Sequence, residues 1–440
     1  MSYLEAEAYL DALGVDAMKA RRPSTHRIEA LCEALDHPER SVPAIHVTGT
    51  NGKTSTTRIA AGILSAAGLK VGTYSSPHLQ SVRERISLGN EPLSEDDFGD
   101  LFDHLLPYLE LVGRRMKERI SYFEVLTAMF FLWAAENVNA AVIEVGLGGA
   151  WDATNVVPAP VSVITNIGLD HTATLGSERE TIAKEKAGII KPESVVVTAE
   201  RSPSILGVIE DAAGGVKAAT SVIERDFCIS DNRIAFGGRY LSVTTSAAPY
   251  EGLFVPLHGR HQGVNAATAL EAVVRFLPAR SLGHDVVAEG MAGVEIPGRL
   301  EVFRLEGVEV PVVLDVAHNP EGVSALVSSL ADAFAFETVR FVVGIMGDKD
   351  YLGMLGELAR LPCSVILTQS RSVRSLALGE LETAARAQQL LCEVRENVEV
   401  ATDRAIETSA TQDLVCVTGS HYVVGEARAH LISRQRAGEV

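Results

Sequence analysis

The segment from Ala44 to Thr54, AIHVTGTNGKT, places an apolar strand before a turn with two glycines and a Lys-Thr pair at the start of a helix. The backbone N–H groups of such a turn and the helix N-terminus point at an anion, which suits a phosphate chain. Lys53 adds a positive charge, and the hydroxyl of Thr54 is a ligand type for Mg²⁺. We therefore interpret residues 49–54 as a nucleotide-phosphate loop.

The glycine spacing differs from that of the common Walker A loop. That loop has a glycine five residues before the one that precedes the lysine, and this chain has Val47 at that position. Here Gly49 and Gly52 are only three residues apart. An ordinary strand–helix turn is therefore the alternative interpretation, although the apolar residues at helical spacing after the loop favour a strand–loop–helix unit.

Length and composition limit the class of protein. A chain of 440 residues is long enough for two or three domains. Hydrophobic residues make up 47% and aromatic residues only 5%, so we expect cores of Val, Ile, Leu and Ala, as in parallel sheets covered by helices. The net charge of −18 argues against a general nucleic-acid or anionic-membrane surface, but a few local cations still allow anionic substrates.

Cysteine usage and the N-terminus predict a cytoplasmic protein. The five cysteines form no CxxC pair, which fits a reducing compartment and argues against structural zinc. No basic segment followed by an apolar run begins the chain, so we expect no signal peptide. The longest apolar run, residues 125–135, is too short to span a bilayer. We expect a monomer.

Apolar strand-like runs alternate with helical patterns, which predicts an α/β protein with doubly wound sheets. The expected strands of the first domain are residues 44–49, 71–76, 140–146, 161–168 and 194–199. Short alternating stretches near residues 217–257 predict a small antiparallel sheet. The segment Ile296–Arg299 is a plausible hinge, after which the alternation restarts, so we divide the chain into domains 1–296 and 297–440.

Polar residues follow several of these strands, and ligands of open α/β sheets gather at the carboxyl ends of strands. Besides the phosphate loop, these ends carry Ser76, Glu144 and His171. Mg²⁺ prefers oxygen ligands, so the serine and the glutamate are natural choices and the histidine is less usual. Taken singly, a strand glutamate is more often a paired structural carboxylate and a lone histidine a core residue. Polar residues at the ends of several successive strands, however, favour a binding site.

The first strand of the second domain ends in Asp315-Val316-Ala317-His318-Asn319-Pro320. Asp315 is suited to accept a hydrogen bond from a ribose hydroxyl, and His318 to contact adenine or phosphate. The alternative is an Asx-type turn before a helix.

Ordered sequence blocks resemble the bifunctional dihydrofolate synthase/folylpolyglutamate synthases of the Mur ligase superfamily, from about Pro23 to Arg428. In addition to residues 49–54, the matching blocks are Ser75–Leu79, Glu84–Ile86, Phe123–Thr127, Glu144–Gly149, Asp152–Asn155, Asp170–His171, Leu175–Gly176, Ile182–Ile189, His261–Gln262, Asn265–Ala267, Pro297–Glu301, Asp315–Pro320, Gly419–Ser420 and Gly425–Arg428. The resemblance implies a P-loop Mur-ligase central domain, a smaller Rossmann-like C-terminal domain, and the short phosphate loop of this superfamily.

The resemblance also implies residue roles. The residues implied to bind ATP are Gly49, Thr50, Asn51, Gly52, Lys53, Thr54, Asn265, Arg299, Asp315 and His318. The implied ligands of Mg²⁺ are Thr54, Ser76, Glu144 and His171, and the residues implied to receive the pterin are Tyr122, Phe123, Glu124 and Asp152. Lys53, His171 and Lys186 are the implied catalytic residues. Lys186 would be carbamylated by CO₂, whereas the sequence alone indicates only a solvated helix residue.

Two positions depart from the family pattern. Between Gly149 and Asp152 the family has Arg followed by an apolar residue, and this chain has Ala150-Trp151. An anion-pairing arginine near the pterin or its carboxylate is lost, and a large ring is gained. The smaller departure is His421, where an apolar residue is more usual.

The implied activity is that of an ATP-dependent ligase that joins L-glutamate to dihydropteroate or folates through an acyl phosphate, releasing ADP and phosphate in folate biosynthesis. One alternative is another amino-acid ligase of the superfamily with a different acid substrate. A non-catalytic nucleotide-binding regulator is the alternative from a different class, and loss of the metal or lysine positions would favour it. All of these positions are present.

Overall fold

The computed structural model describes residues 1–14, 24–277 and 282–438. Pro23, where the family resemblance begins, lies outside these residues. The chain forms two compact units. The first contains the described residues up to Arg233 together with Tyr240–Pro256 and Gln262–Glu295, and the second contains Ile234–Arg239, Leu257–His261 and the residues from Ile296 onward. No helix in the described part of the chain is long and apolar enough to cross a membrane.

The first unit is built on an eight-stranded sheet. Its strands are β1 (Ala44–Thr48), β2 (Val71–Tyr74), β3 (Ile86–Leu88), β4 (Glu91–Pro92), β5 (Ala140–Glu144), β6 (Val161–Ile164), β7 (Val195–Thr198) and β8 (Ala219–Val222). The strand order is β4-β3-β2-β5-β1-β6-β7-β8. All pairs from β2 to β8 are parallel, and β3 and β4 add an antiparallel edge.

Helices follow most strands of this sheet, as the alternating pattern predicts. α1 (Tyr3–Leu13) and α2 (His26–Ala34) precede the first strand, and the later helices up to residue 292 are α3 (Lys53–Ala66), α4 (Glu95–Met116), α5 (Tyr122–Asn137), α6 (Thr172–Leu175), α7 (Arg179–Ala187), α8 (Pro203–Gly215), α9 (Arg260–Phe276) and α10 (His284–Ala292). Every residue of β1, β2, β5 and β6 is buried. Such strands are typical of a parallel sheet covered on both faces, which explains their apolar runs.

The small antiparallel sheet is present but begins later than predicted. It contains β9 (Cys228–Ala235), β10 (Gly238–Thr244) and β11 (Pro249–Val255), in the order β11-β10-β9. Residues 219–222, which we placed in it, form β8 and pair parallel to β7 at the edge of the large sheet. The prediction was wrong there because a four-residue edge strand is too short to show whether its pairing is parallel.

The second unit contains a six-stranded sheet in the order β12-β13-β17-β14-β15-β16. Its strands are β12 (Arg299–Phe303), β13 (Val312–Asp315), β14 (Val339–Val343), β15 (Cys363–Leu367), β16 (Cys392–Val394) and β17 (Leu414–Thr418), and its helices are α11 (Pro320–Ala333), α12 (Tyr351–Leu358), α13 (Leu378–Ala387), α14 (Val398–Thr408) and α15 (His421–Gly438). Only β12 runs antiparallel. The predicted α/β fold class is confirmed. Arg299, assigned to a hinge, lies in β12.

Candidate active site

The phosphate loop connects β1 to α3 with two glycines in the left-handed half of backbone space. Gly49 has φ +150° and Gly52 has φ +84°. A Cβ atom at Gly49 would overlap the Thr165 hydroxyl, and one at Gly52 would overlap the side-chain oxygen of Asn265. Both positions therefore require glycine. The second contact also places Asn265, predicted to bind nucleotide, directly against the loop.

The segment after β6 holds the phosphate loop in place. Asn166 accepts hydrogen bonds from the N–H groups of Thr50 (2.9 Å to its backbone oxygen) and Asn51 (2.9 Å to Oδ1). The Gly168 N–H in turn donates to the Thr50 hydroxyl at 2.9 Å. The backbone N–H groups of Thr50 and Asn51, which we predicted to bind an anion, therefore donate to Asn166 instead. α3 follows directly on this loop, and any helix N-terminus offers its first-turn amides to a phosphate.

Two lysines converge on the carbonyl of Gly49. Lys53 Nζ donates to this oxygen at 3.0 Å and to the Thr50 oxygen at 3.1 Å, and Lys186 Nζ donates to the same Gly49 oxygen at 2.9 Å. Lys186 is only 4% exposed, so the interpretation of it as a solvated residue is wrong. Burial, reinforced by the positive charge of Lys53, lowers the pKa of Lys186 to about 7.

Glu144 forms the centre of the predicted metal site. Its strand pairs with β1, with Val47 opposite Glu144, so the carboxylate lies beside the strand that leads into the phosphate loop. The Thr54 hydroxyl donates to both carboxylate oxygens, at 3.0 and 3.1 Å, and the Ser76 N–H donates to one of them at 3.4 Å. Three of the four predicted ligands therefore lie together.

His171, the fourth predicted ligand, lies three residues after Gly168, in the segment that holds the phosphate loop. Its own backbone N–H donates to Asp170 Oδ1 at 2.7 Å, and its Nε2 lies 3.9 Å from Asp170 Oδ2. Among residues 1–14, 24–277 and 282–438, no group of three or more His, Cys, Asp or Glu is arranged to hold a metal ion. The Thr54 hydroxyl and the buried Glu144 carboxylate, with Ser76 beside them, nevertheless fit Mg²⁺, which retains waters and substrate phosphates as ligands.

The two carboxylates predicted to receive the pterin have structural partners. Glu124 accepts from Arg27 Nε at 2.9 and 3.1 Å and from the Ser121 N–H at 2.8 Å, where it completes the capping box of α5. Asp152 caps the single-turn helix Ala153–Val156 and is 3% exposed. Burial raises the pKa of Asp152. Sequence reasoning missed Arg27 because nothing local links it to a residue 97 positions away.

The two aromatic residues predicted to receive the pterin pack against different partners. The guanidinium of Arg85 lies 5.2 Å from the ring centre of Tyr122, in cation–π geometry. The ring of Phe123 occupies the space that a side chain at Gly146 would need, and its centre lies 5.9 Å from that of Tyr74. The glycine in the Glu144–Gly149 block therefore makes room for this ring.

The turn that contains Ala150 and Trp151 is anchored by Glu185. One carboxylate oxygen of Glu185 accepts from the N–H groups of Gly149 (3.2 Å) and Trp151 (3.3 Å), and the Glu185 carbonyl accepts from the Ala150 N–H (2.9 Å). We did not predict this role. The charged run that contains Glu185 in α7 is the one sequence signal, and it equally fits a solvated helix face.

In the second unit, three predicted nucleotide contacts lie at the carboxyl end of β13. Arg299 and Asp315 are cross-strand partners. Asp315 accepts from the N–H groups of Leu300 (3.0 Å) and Ala317 (2.9 Å), so the Asx-type turn offered as the alternative is present. Burial raises the pKa of Asp315, and Arg299 opposes that rise. The ring of His318 lies 5.2 Å from that of His421.

Comparisons with known proteins cover nearly the whole chain. The Mur ligase middle domain matches residues 47–273, and the Mur ligase glutamate ligase domain matches residues 298–421. The dihydrofolate synthase/folylpolyglutamate synthase of Mycobacterium tuberculosis is 38% identical, over 92% of this chain and 89% of that protein. The protein of the same name from Bacillus subtilis is 34% identical, over 93% of this chain and 95% of that protein.

Solved structures agree with these sequence matches. Folylpolyglutamate synthase of Mycobacterium tuberculosis, solved with ADP and AMPPCP, superposes with a TM-score of 0.91 at 37% identity, over 98% of each chain. FolC of E. coli, solved with DHPP and ADP, gives a TM-score of 0.86 at 28% identity, also over 98% of each chain.

Proposed function

Because this chain belongs to the dihydrofolate synthase/folylpolyglutamate synthase family of Mur ligases, we propose that it joins L-glutamate to dihydropteroate and to folates with cleavage of ATP. The observation that carries the proposal is the contact of the Thr54 hydroxyl with both oxygens of the buried Glu144, next to Lys53 on the phosphate loop. This arrangement combines a phosphate cradle with an oxygen donor set for a divalent cation.

The reaction proceeds in two steps. The carboxylate of the acid substrate attacks the γ-phosphorus of ATP, and ADP leaves, which gives an acyl phosphate. The amine of L-glutamate then attacks the activated carbonyl, and phosphate leaves with the formation of the amide. The first step is needed because a free carboxylate is a poor electrophile. The protein mainly contributes positioning and positive charge, which are the main requirements of phosphoryl transfer.

Lys53 and the N-terminus of α3 bind the β- and γ-phosphates in this proposal. Lys53 Nζ is already held at the loop by the oxygens of Gly49 and Thr50, which supports this role. Thr54, Ser76, Glu144 and His171 would hold Mg²⁺, which would neutralise charge on the phosphate oxygens. Asn265, together with the remaining loop residues, contacts ATP from the first unit.

The remaining proposed contacts bind ATP from the second unit and the pterin from the first. The proposed ATP contacts in the second unit are Arg299, Asp315 and His318, and the proposed contacts of the pterin are Tyr122, Phe123, Glu124 and Asp152. We also propose that the functional domains are residues 1–296 and 297–440, and that the protein is a cytoplasmic monomer. Size-exclusion chromatography with light scattering tests the oligomeric state, since a monomer is expected to have a mass of 47.0 kDa.

Lys186 is the proposed site of carbamylation. Only an uncharged amine attacks CO₂, and the reaction gives a carbamate anion and one released proton. A pKa of about 7 leaves about half of the Lys186 amines uncharged at neutral pH. The product replaces a buried cation beside Lys53 by an anion, so the charge pair changes from repulsive to attractive. The surroundings of Lys186 therefore favour the modification.

The identity of the acid substrate is tested by incubation with ATP, Mg²⁺ and L-glutamate. Dihydropteroate, tetrahydrofolate and a cell-wall precursor acid are offered separately, and the products are identified by mass. We expect glutamate addition to dihydropteroate, tetrahydrofolate or both, and none by the Lys53→Ala variant. Product with the cell-wall precursor acid alone would favour the alternative, another amino-acid ligase of the superfamily. The Ala150-Trp151 departure from the family pattern is the reason to test this alternative.

A further inference from the structure

We propose that His46 is a positioning residue, which acts through the Thr154 hydroxyl to orient the Asp152 carboxylate and the turn of residues 147–152. The inference rests on the proposed function, in which Asp152 belongs to the site for the pteroate or folate. His46 itself lies inside β1 and is fully buried, so it acts on the substrate only through these partners.

Packing alone does not explain a histidine at this position. β1 is a central strand of a parallel sheet, where aliphatic residues are the rule. Nδ1 of His46 is buried and has no hydrogen-bond partner among the described residues. A buried polar atom without a partner destabilises a fold relative to an aliphatic side chain. The histidine is therefore understandable only through what its other nitrogen does.

Nε2 of His46 starts a chain of hydrogen bonds. It lies 2.8 Å from the Thr154 hydroxyl, which donates to Asp152 Oδ1 at 2.5 Å. A hydroxyl has one hydrogen, so with that hydrogen on Asp152 the imidazole must be the donor. Burial and the positive charge of Lys191 lower the pKa of His46 well below its ordinary value. The ring is therefore neutral and carries its proton on Nε2.

This series of hydrogen bonds ends at the Asp152 carboxylate, whose orientation is fixed by further bonds. Besides the Thr154 hydroxyl, Asp152 accepts the N–H of Thr154 at 2.9 Å and the N–H of Leu147 at 3.0 Å. Rotation of this carboxylate would break several bonds at once. The orientation of Asp152 is thus coupled to the start of the turn at residue 147.

Strand β1 holds this turn at two points. His46 and Thr48 are two positions apart and so project from the same face of the strand. The Thr48 hydroxyl donates to the carbonyl of Gly148 at 2.9 Å. The same strand continues directly into the phosphate loop at Gly49. One strand therefore sets both the turn assigned to the acid substrate and the loop assigned to the phosphates, and their register decides how the carboxylate meets the γ-phosphorus.

Steady-state kinetics of matched variants test this role. His46→Leu and Thr154→Val break the chain, whereas His46→Gln and Thr154→Ser each keep a hydrogen-bonding group near the original atom. Thr198→Val is the control, because Thr198 is a buried threonine of β7 whose hydroxyl donates to Ile164 at 2.8 Å and not to Asp152. The acid, ATP and L-glutamate are varied in turn, and the melting temperature of each variant is recorded.

We expect His46→Leu and Thr154→Val each to lower kcat/KM for the acid by about tenfold, as for the loss of one hydrogen bond to a charged group. The double variant should have the same kcat/KM for the acid as the less active single variant, because both substitutions interrupt the same series of hydrogen bonds. His46→Gln and Thr154→Ser should recover most of the loss, and the KM for ATP should stay within about twofold of wild type in all variants.

Two results would overturn the inference. The first is a parallel rise in the KM values for acid and ATP that follows the melting temperature and is not recovered by His46→Gln, which would indicate a purely structural role. The second is additivity of His46→Leu and Thr154→Val. The proposed function is tested separately, by which acid the wild-type enzyme uses. The His46 and Thr154 variants are then compared with wild type on that acid.

Discussion

Lys186 should make activity depend on CO₂ with an unusual pH profile. Carbamylation proceeds through the uncharged amine, whose fraction is set by the pKa of about 7 that burial and Lys53 impose. That fraction is about one tenth at pH 6, one half at pH 7 and nine tenths at pH 8. An ordinary lysine, with a pKa near 10.4, would instead gain about tenfold for each unit over the whole interval.

The assay is recovery of a CO₂-depleted enzyme. Protein equilibrated in CO₂-free buffer is returned to a fixed concentration of dissolved CO₂, and the rate at which ligase activity recovers is measured from pH 6 to pH 8. At equal CO₂, that rate should rise about fivefold from pH 6 to pH 7 and less than twofold from pH 7 to pH 8. Carbon-13 NMR of enzyme treated with labelled CO₂ should show a carbamate signal that Lys186→Ala lacks.

Two variants separate Lys186 from general effects of CO₂. Lys186→Ala should lose activity and the carbamate signal, and a short carboxylic acid should restore part of the activity by replacing the missing anion. Lys184→Ala changes an exposed lysine of the same helix and should behave as wild type. A tenfold rise between pH 7 and pH 8, or a carbamate spectrum of Lys186→Ala that is identical to that of wild type, would refute the reasoning.

Three further outcomes follow from the first unit. Glu144→Gln should lower kcat by about a hundredfold or more, because a neutral amide replaces the carboxylate charge at the predicted cation site, and the loss should not be recovered by saturating Mg²⁺ in a coupled ADP assay. Gly49→Ala should abolish ADP binding in calorimetry, since its Cβ would overlap the Thr165 hydroxyl. Arg27→Ala leaves a buried carboxylate unpaired and should cost about 3–5 kcal/mol of unfolding free energy in urea, whereas Arg114→Ala, which breaks an exposed pair, should cost less than about 1 kcal/mol.

The strands that carry the site were predictable because each combines a buried apolar run with a polar end. The strands expected at residues 44–49, 71–76, 140–146 and 194–199 match β1, β2, β5 and β7 to within two residues at each end, whereas the strand expected at residues 161–168 ends four residues earlier, at Ile164. By contrast, β3 and β4 contain three and two residues, which is too short for any periodicity to appear. β12 has only two buried residues and no strict alternation, so the Pro297-Gly298 pair before it led us to predict a hinge.

Partners distant in sequence could not be predicted. Glu124 fits a capping box within its own helix, but its ion pair with Arg27 joins residues 97 positions apart. Likewise, the charged run around Lys186 gives no local sign of burial, because burial depends on how α7 packs against the phosphate loop. Family resemblance selected Lys186 without explaining it, and the physical explanation required the contact with the Gly49 carbonyl.

The Ala150-Trp151 departure changes charge more than shape. Glu185 anchors the turn through backbone N–H groups, so these bonds do not depend on which side chains stand at 150 and 151. Ala150 packs so closely on Gly188 that a Cβ there would overlap it, and Trp151 packs beside Leu147 on an apolar cluster. The turn therefore keeps its anchors without an arginine. In the proposed function, an acidic group of the substrate would therefore have to be met by another side chain or by solvent.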